Sequence, residues 1–224
     1  MPNAISAIPT ARRTHAAHAG AGRLSPSSRR GNCTNTAVVA ASGEDSNATG
    51  ANGNQANNSA TNAGAAYVFV RNGTTWSEQT FIKAPNARPY NSFGVRLALS
   101  GDGNALAVTS YLEDNAGHGV RPPQLQQFLI QEIFNAWREH KNEAEESGSA
   151  YLFTRAGGKW TAGAYIKADN TDAGDEFGSA VAISGDGHTM VVGAHQEDSA
   201  ARGVNGNQAD NSASDSGAAY VFSY

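Results

Sequence analysis

Residues 177–198 read FGSAVAISGDGHTMVVGAHQED, and residues 93–114 read FGVRLALSGDGNALAVTSYLED, 84 positions earlier. Each copy holds two runs of alternating apolar residues on either side of the tetrapeptide Ser-Gly-Asp-Gly. Alternation is the period of a half-buried β-strand. Asp-Gly between two such runs favours a hairpin turn, because the turn needs positive φ. The stretch therefore predicts an antiparallel hairpin that the chain uses twice.

Further matches show that the hairpin belongs to a longer repeat. Residues 36–69 match residues 189–222 at 23 of 34 positions, and a Trp-x5-Ile-Lys-Ala segment occurs at 76–84 and again at 160–168. Asp45, Asp114 and Asp198 are equivalent and lie 69 and 84 residues apart. The unit is therefore about 69 residues long, is present nearly three times, and carries 15 extra residues in its middle copy.

Each unit is predicted to contain four strands. Strands one to three are residues 178–183, 189–194 and 217–222 in the third unit, and strand four is residues 160–167 in the second unit. Tandem units of four antiparallel strands are typical of β-propeller blades. The sequence predicts an all-β fold, a partial β-propeller of about three four-stranded antiparallel blades with one inserted amphipathic helix. Three, four and three strands can be recognised in the successive units. Three incomplete blades do not close a ring, so self-association through open sheet edges is one way to cover them.

The repeat pattern also divides the chain into segments. The N-terminal segment is basic and Ser-rich, lacks the apolar run of a secretory signal, and is interpreted as a disordered or mis-annotated start, with a transit peptide as the alternative. The predicted limits are 1–35 for this segment, 36–91 for partial blade 1, 92–175 for blade 2 with a helical insert at 121–146, and 176–224 for partial blade 3.

The repeat resembles a known family. Phe-Gly at 177–178 opening one strand, and Val-Val-Gly-Ala at 191–194 in the next, are similar to the FG-GAP repeat. The likeness covers roughly residues 36–224, although Ala-Val-Thr-Ser replaces Val-Val-Gly-Ala at 107–110 and the first copy lacks the Phe-Gly strand. FG-GAP repeats build the propeller of integrin α-chains and occur in many bacterial surface and secreted proteins.

The resemblance implies an extracellular or cell-surface binding module, not an enzyme, with a protein or glycan ligand. Two alternatives stay open. The chain is either a decayed or truncated fragment of a larger surface protein without a function of its own, or the propeller region appended to a secreted enzyme. The sequence itself contains no Gly-x-Ser-x-Gly, His-Glu-x-x-His or P-loop motif.

Composition excludes several other classes. Sixteen basic against 20 acidic residues give a net charge of −4, so no basic surplus is present to bind nucleic acid. No apolar run is long enough to span a membrane. Cys33 is the single cysteine, which excludes an internal disulfide framework.

Calcium is the one ion that the family resemblance suggests. The Ser-Gly-Asp-Gly turns at 100–103 and 184–187 do not match the calcium loop of integrin repeats, because they are too short and carry only one carboxylate each. A second oxygen-rich loop offers a weak calcium candidate, and no other cofactor is predicted. Its residues are Glu197, Asp198, Asn205, Asn207 and Asp210. The competing interpretation is a structural turn, since Asn and Asp bond to their own backbone.

The 15-residue excess falls in a segment of different character, residues 121–146. Leu125, Phe128, Leu129, Ile133 and Trp137 recur there at spacings of three and four, which predicts an amphipathic helix near 123–144. Its apolar face is expected either to cover a sheet edge of its own blade or to dock a partner. The third alternative is that the segment is an accidental insertion of foreign coding sequence.

Overall fold

The computed structural model describes residues 35–121 and 144–224. Twelve strands form three antiparallel sheets, and the described residues contain no helix. The predicted insert helix and its apolar face lie outside the described residues, as do residues 1–34. No helix in the described ranges is long and apolar enough to cross a membrane.

The three sheets follow one another along the chain. The first sheet has the order β1-β3-β4-β2, the second β5-β6-β8-β9-β7 and the third β10-β11-β12. Their strands are β1 (Thr36–Ala41), β2 (Gly50–Ala51), β3 (Ala65–Asn72), β4 (Thr75–Lys83), β5 (Arg96–Leu99), β6 (Ala105–Ser110), β7 (Val120–Arg121), β8 (Ser149–Ala156), β9 (Lys159–Ile166), β10 (Phe177–Ile183), β11 (Thr189–Ala194) and β12 (Ala218–Ser223).

The long strands confirm the pattern of three, four and three. The second sheet holds the full set, in which β5, β6, β8 and β9 are strands one to four of a meander. The first sheet has strands two to four, which are β1, β3 and β4, and the third sheet has strands one to three. Sequence reasoning missed β2 and β7, which are two residues long and pair with β4 and β9. This arrangement is propeller-like.

The Phe-Gly dipeptides join one sheet to the next. Phe93 and Phe177 each begin a unit and form an isolated parallel bridge to Gly64 and Gly148 of the preceding sheet. Both rings are buried and meet two aromatic rings each at centroid distances of 5.3–6.1 Å. The backbone of each phenylalanine thus pairs with the preceding sheet, while its ring packs against aromatic residues of its own sheet. These two contacts fix the position of one sheet relative to the next.

Two apolar cores fill the spaces between the sheets. The first lies between the first and second sheets and contains Val68, Leu106 and Phe153. The second lies between the second and third sheets and contains Ala107, Met190 and Val192. Alternate residues of β6 thus face opposite cores, since successive side chains of a strand point to opposite faces.

The predicted hairpin turns form at one end of the sheets. In each, the aspartate of Ser-Gly-Asp-Gly accepts backbone N–H groups two residues on, at 2.9 Å from Asn104 to Asp102 and 3.1 Å from His188 to Asp186. Gly101 N–H also donates to Gly185 O at 2.8 Å, so turns of neighbouring sheets touch.

Candidate functional site

The loops that join strand two to strand three, and those that join strand four to the next sheet, meet at the end of the sheets opposite these hairpin turns. We call this the loop end. It contains the long Asn/Gly/Ser loops that follow β1 and β11, as well as the predicted calcium residues.

The structure places the five predicted calcium residues in different roles. Glu197 is 2% exposed and its Oε1 accepts from Asn170 Nδ2 at 2.9 Å. Asp198 Oδ1 accepts from Asp215 N at 2.8 Å, and Asp210 Oδ1 accepts from Ser212 N at 3.0 Å.

The two asparagines of the set shape the loop backbone. Asn207 Oδ1 accepts from Ala209 N at 3.2 Å. Asn205 is exposed and has a φ of 56°, in the left-handed region that asparagine tolerates.

The loop after β1 repeats these contacts. Asp45 Oδ1 accepts from Asn62 N at 2.8 Å, Asn54 Oδ1 from Ala56 N at 2.9 Å, and Asn57 Oδ1 from Ser59 N at 3.0 Å. The middle copy keeps the first of them, since Asp114 Oδ1 accepts from Glu146 N at 3.0 Å. These oxygens therefore stabilise turns, which is what the competing interpretation expects.

No group of three or more His, Cys, Asp or Glu side chains in residues 35–121 and 144–224 is placed to hold a metal ion. Backbone and amide oxygens are also calcium ligands, so a weak site in the Glu197–Asp210 loop stays a prediction.

Two buried ion pairs support the loop end, and sequence reasoning did not identify them. Lys83 Nζ lies 2.6 Å from Glu44 Oε2 in the first sheet, and Lys167 Nζ lies 3.1 Å from Glu113 Oε2 in the second. Both lysine side chains are 0% exposed. Burial lowers the pKa of each lysine, and the paired carboxylate partly restores it. The pairs hold the end of strand four against the loop that follows strand two.

Glu113 and the equivalent Glu197 each accept a hydrogen bond from an asparagine of the preceding unit. Asn86 Nδ2 donates to Glu113 Oε1 at 3.2 Å, while Asn86 Oδ1 accepts from Tyr151 Oη at 2.8 Å. Asn170 makes the same two contacts, with Glu197 and with Tyr220 Oη at 2.7 Å. The sequence carries a faint signal for this network, because lysine and asparagine recur in Ile-Lys-Ala-x-Asn at 82–86 and 166–170.

Asp175 has the most perturbed carboxyl group of the loop end. It is 3% exposed, and burial raises its pKa from 3.8 to about 6. The nearby carboxylates of Asp172, Glu197 and Asp198 raise it further, against a hydrogen bond from Asp172 N at 3.0 Å. Negative charge is thus concentrated where the third sheet meets the second.

Residues 160–222 match the family model of the FG-GAP repeat. The chain contains an FG-GAP repeat. The match confirms the resemblance seen in the sequence, and no curated protein matches the chain. The FG-GAP segment runs from β9 to β12, so it includes strand four of the second sheet and strands one to three of the third. FG-GAP repeats generally occur in extracellular or surface proteins.

Proposed function

We propose that the protein is a non-enzymatic, integrin-like β-propeller module that binds a protein or glycan ligand through its loop end, outside the cell or at the cell surface. The sheets of this chain form part of the propeller. The observation that carries the proposal concerns the two long loops that follow β1 and β11. Their backbones are held by the same internal hydrogen bonds, whereas some of their exposed side chains differ.

The rigid part is the internal hydrogen bonding of the loops. Ser46 Oγ donates to Asn54 O at 2.7 Å, and Ser199 Oγ donates to Asn207 O at 2.9 Å. Together with the aspartate and asparagine contacts above, these bonds tie each loop to itself. A loop ordered in advance loses less conformational entropy when it binds a ligand.

The exposed part suits recognition. Both loops contain Asn-Gly-Asn-Gln-Ala and expose the amides of Asn54, Gln55, Asn207 and Gln208. Amides donate and accept hydrogen bonds, as sugar hydroxyls and peptide groups require. Only the loop of the third sheet adds Arg202 and Val204, and Val204 is 91% exposed.

Ligand screening with loop variants tests the proposal. The chain is screened against glycan and extracellular-protein panels, and the affinity of any ligand found is measured for Arg202→Ala/Val204→Ala/Gln208→Ala. We expect affinity to fall at least about tenfold, since removing an interface anchor costs more than about 1 kcal/mol. The control is Thr74→Ala/Lys159→Ala, whose exposed residues lie at the hairpin-turn end. Equal losses in both variants, or no ligand in either panel, would overturn the proposal.

A further inference from the structure

One exposed aromatic residue departs from the pattern of the repeat. Tyr90 lies on the connection between β4 and β5 and is 65% exposed. Its φ is 69°, in the left-handed region, where a bulky side chain is a rare outlier. The equivalent residue 84 positions later is Gly174, which has a φ of 86°. The fold therefore requires left-handed backbone at this position, and glycine adopts it without strain in the connection between β9 and β10.

The strain at Tyr90 is not a general feature of its surroundings. Asn62 and Ser92 also have positive φ, 52° and 55°, but their equivalents Glu146 and Glu176 adopt the same conformation. Left-handed backbone at those two positions thus belongs to the repeat whatever the side chain, whereas Tyr90 replaces a glycine. Burial does not offset the strain, because most of the residue lies in water. Strained backbone of this kind clusters at ligand contacts, which points to a binding role for the ring.

The backbone that presents the ring is held in place. Tyr90 N donates to Thr61 O at 2.8 Å, and Ser92 N donates to Asn62 O at 2.9 Å. Pro89 restricts the chain further, since the φ of proline is fixed. A tyrosine has only two side-chain torsions to order, so on a fixed backbone it offers a large contact area at a low entropic cost.

The polar surroundings of the ring favour a sugar as its partner. Thr61 and Asn62, whose carbonyls hold this connection, are both exposed, and their hydroxyl and amide donate and accept hydrogen bonds. A pyranose has a face of C–H groups, which packs on the negative face of an aromatic ring, and a rim of hydroxyls. Protein interfaces instead anchor an aromatic hot spot in a desolvated pocket. One exposed ring beside polar groups therefore matches a glycan.

Charge at the loop end favours a neutral glycan. Residues 168–176 of the second connection contain four carboxylates, and the whole chain has a net charge of −4. Residues 84–92 of the first connection contain Arg88 and no carboxylate. An acidic polysaccharide that extended from Tyr90 over the loop end would meet like charge at the second connection, which disfavours binding.

We propose that Tyr90 is a stacking platform for a neutral glycan, with Thr61 and Asn62 beside it as hydrogen-bonding groups. The inference rests on the proposed function and narrows it, because it selects a glycan over a protein ligand. It also adds the connection between β4 and β5 to the loops that contact the ligand.

Affinity electrophoresis and calorimetry test the platform on the whole chain. The chain is run through gels that contain glucomannan, arabinoxylan or galactan, and oligosaccharides of the polysaccharide that retards it are then titrated. We expect Tyr90→Asn to lower the affinity at least about fivefold, which corresponds to the roughly 1 kcal/mol of an aromatic contact. Tyr90→Phe keeps the ring and should bind within about twofold of the parent.

Tyr224→Asn is the matched control for loss of an exposed tyrosine. Tyr224 is 45% exposed, and its N donates to His188 O at the hairpin-turn end. This variant should bind as the parent does.

Thermal unfolding separates a ligand contact from a structural role of the ring. Asparagine tolerates left-handed backbone, and little buried surface is lost with an exposed ring. Tyr90→Asn should therefore unfold at the same temperature as the parent or higher, although it binds the glycan less tightly.

Three outcomes would overturn the inference. Absence of retardation in all three gels would mean that the ring does not serve a neutral glycan, and a protein ligand from the panel screen would then leave the proposed function standing. Equal affinity of Tyr90→Asn and the parent, with a loss in Arg202→Ala/Val204→Ala/Gln208→Ala, would restrict the glycan to the loop of the third sheet. A fall in Tm of more than about 5 °C for Tyr90→Asn would mean that the ring stabilises the fold.

Discussion

Lys167, directly after β9, and Glu113, after β6, meet at 3.1 Å, and their side chains are 0% and 3% exposed. Removing one partner of such a pair leaves an uncompensated buried charge, which costs about 3–5 kcal/mol. We therefore expect Lys167→Met to lower the free energy of unfolding by about that amount, measured by urea denaturation followed through tryptophan fluorescence.

Lys159 supplies the control for this substitution. It begins β9, the strand that Lys167 follows, and it is exposed, so Lys159→Met should change the free energy of unfolding by no more than about 0.5 kcal/mol. If both variants lose the same stability, the buried pair does not contribute in the way that its geometry indicates.

Close contact between sheets leads to a second prediction, at Gly148. Gly148 has a φ of +81°, and a Cβ there would lie 2.1 Å from the carbonyl oxygen of Phe177. Gly157 also has a positive φ, +56°, but a Cβ there would meet nothing within 4 Å. Alanine at either position incurs the left-handed backbone penalty of about 1–2 kcal/mol, and only Gly148→Ala adds a clash with backbone.

We expect Gly157→Ala to lose about that backbone penalty alone. Gly148→Ala should lose more than this, at least about 3 kcal/mol, which is the upper end of the usual range for a single substitution. The comparison uses thermal or urea unfolding of both variants. Equal stability losses would mean that the bridge between Gly148 and Phe177 can relax without cost.

The sequence predicts the elements of this fold better than the contacts between them. Phe177-Gly178, the Ser-Gly-Asp-Gly turns and Trp160 recur at a fixed period, so strand limits can be obtained by comparing copies. The pairing of Glu113 with Lys167 spans 54 positions. Charged residues are almost never fully buried unless paired, and no local pattern shows that this lysine is buried. Two-residue strands such as Gly50–Ala51 carry no periodicity at all.

The candidate site was predictable to the same extent. Asn and Asp in turns commonly bond to their own backbone, so the roles of Asp198 and Asp210 follow from residue type. The burial of Glu197 does not, because it depends on how the third sheet packs against Asn170. The sequence shows that Glu-Asp recurs after strand two. It does not show that Glu44 and Glu113 pair with lysines at the end of strand four.

Asp175 leads to a third prediction, on pH dependence. Its pKa is about 6 in the folded chain against an ordinary 3.8, mainly because of burial. The folded state therefore favours the protonated acid. The associated stability is fully present below pH 3.8 and is lost as the pH rises through about 6. Asparagine stands at the equivalent position in the preceding unit, as Asn91, so Asp175→Asn should be tolerated there.

We expect Asp175→Asn to match the parent near pH 4 and to exceed it at pH 7.5, by about 2–4 °C in Tm, the shift that ~1 kcal/mol produces at this size. Asp186→Asn is a control of opposite sign, because hydrogen bonds from Ser184 Oγ and His188 N lower the pKa of that exposed carboxyl. Its loss of stability should appear at neutral pH and fade in acid. An Asp175→Asn variant with a pH-independent effect would contradict the prediction.

Calcium should change stability only slightly, because the Asp198 and Asp210 oxygens of the candidate loop already accept backbone N–H groups at 2.8 and 3.0 Å. A weak site with a Kd of about 10⁻⁴–10⁻³ M stabilises the native state by roughly 0.4–1.4 kcal/mol at about 1 mM calcium. Tm should therefore move by only a few degrees between chelator and calcium. Asp210→Asn removes one charge and keeps the turn, as Asn57 does in the equivalent loop, so any shift should shrink further. A rise in Tm of more than about 10 °C would mean that the loop at Glu197–Asp210 rearranges into a strong cation site.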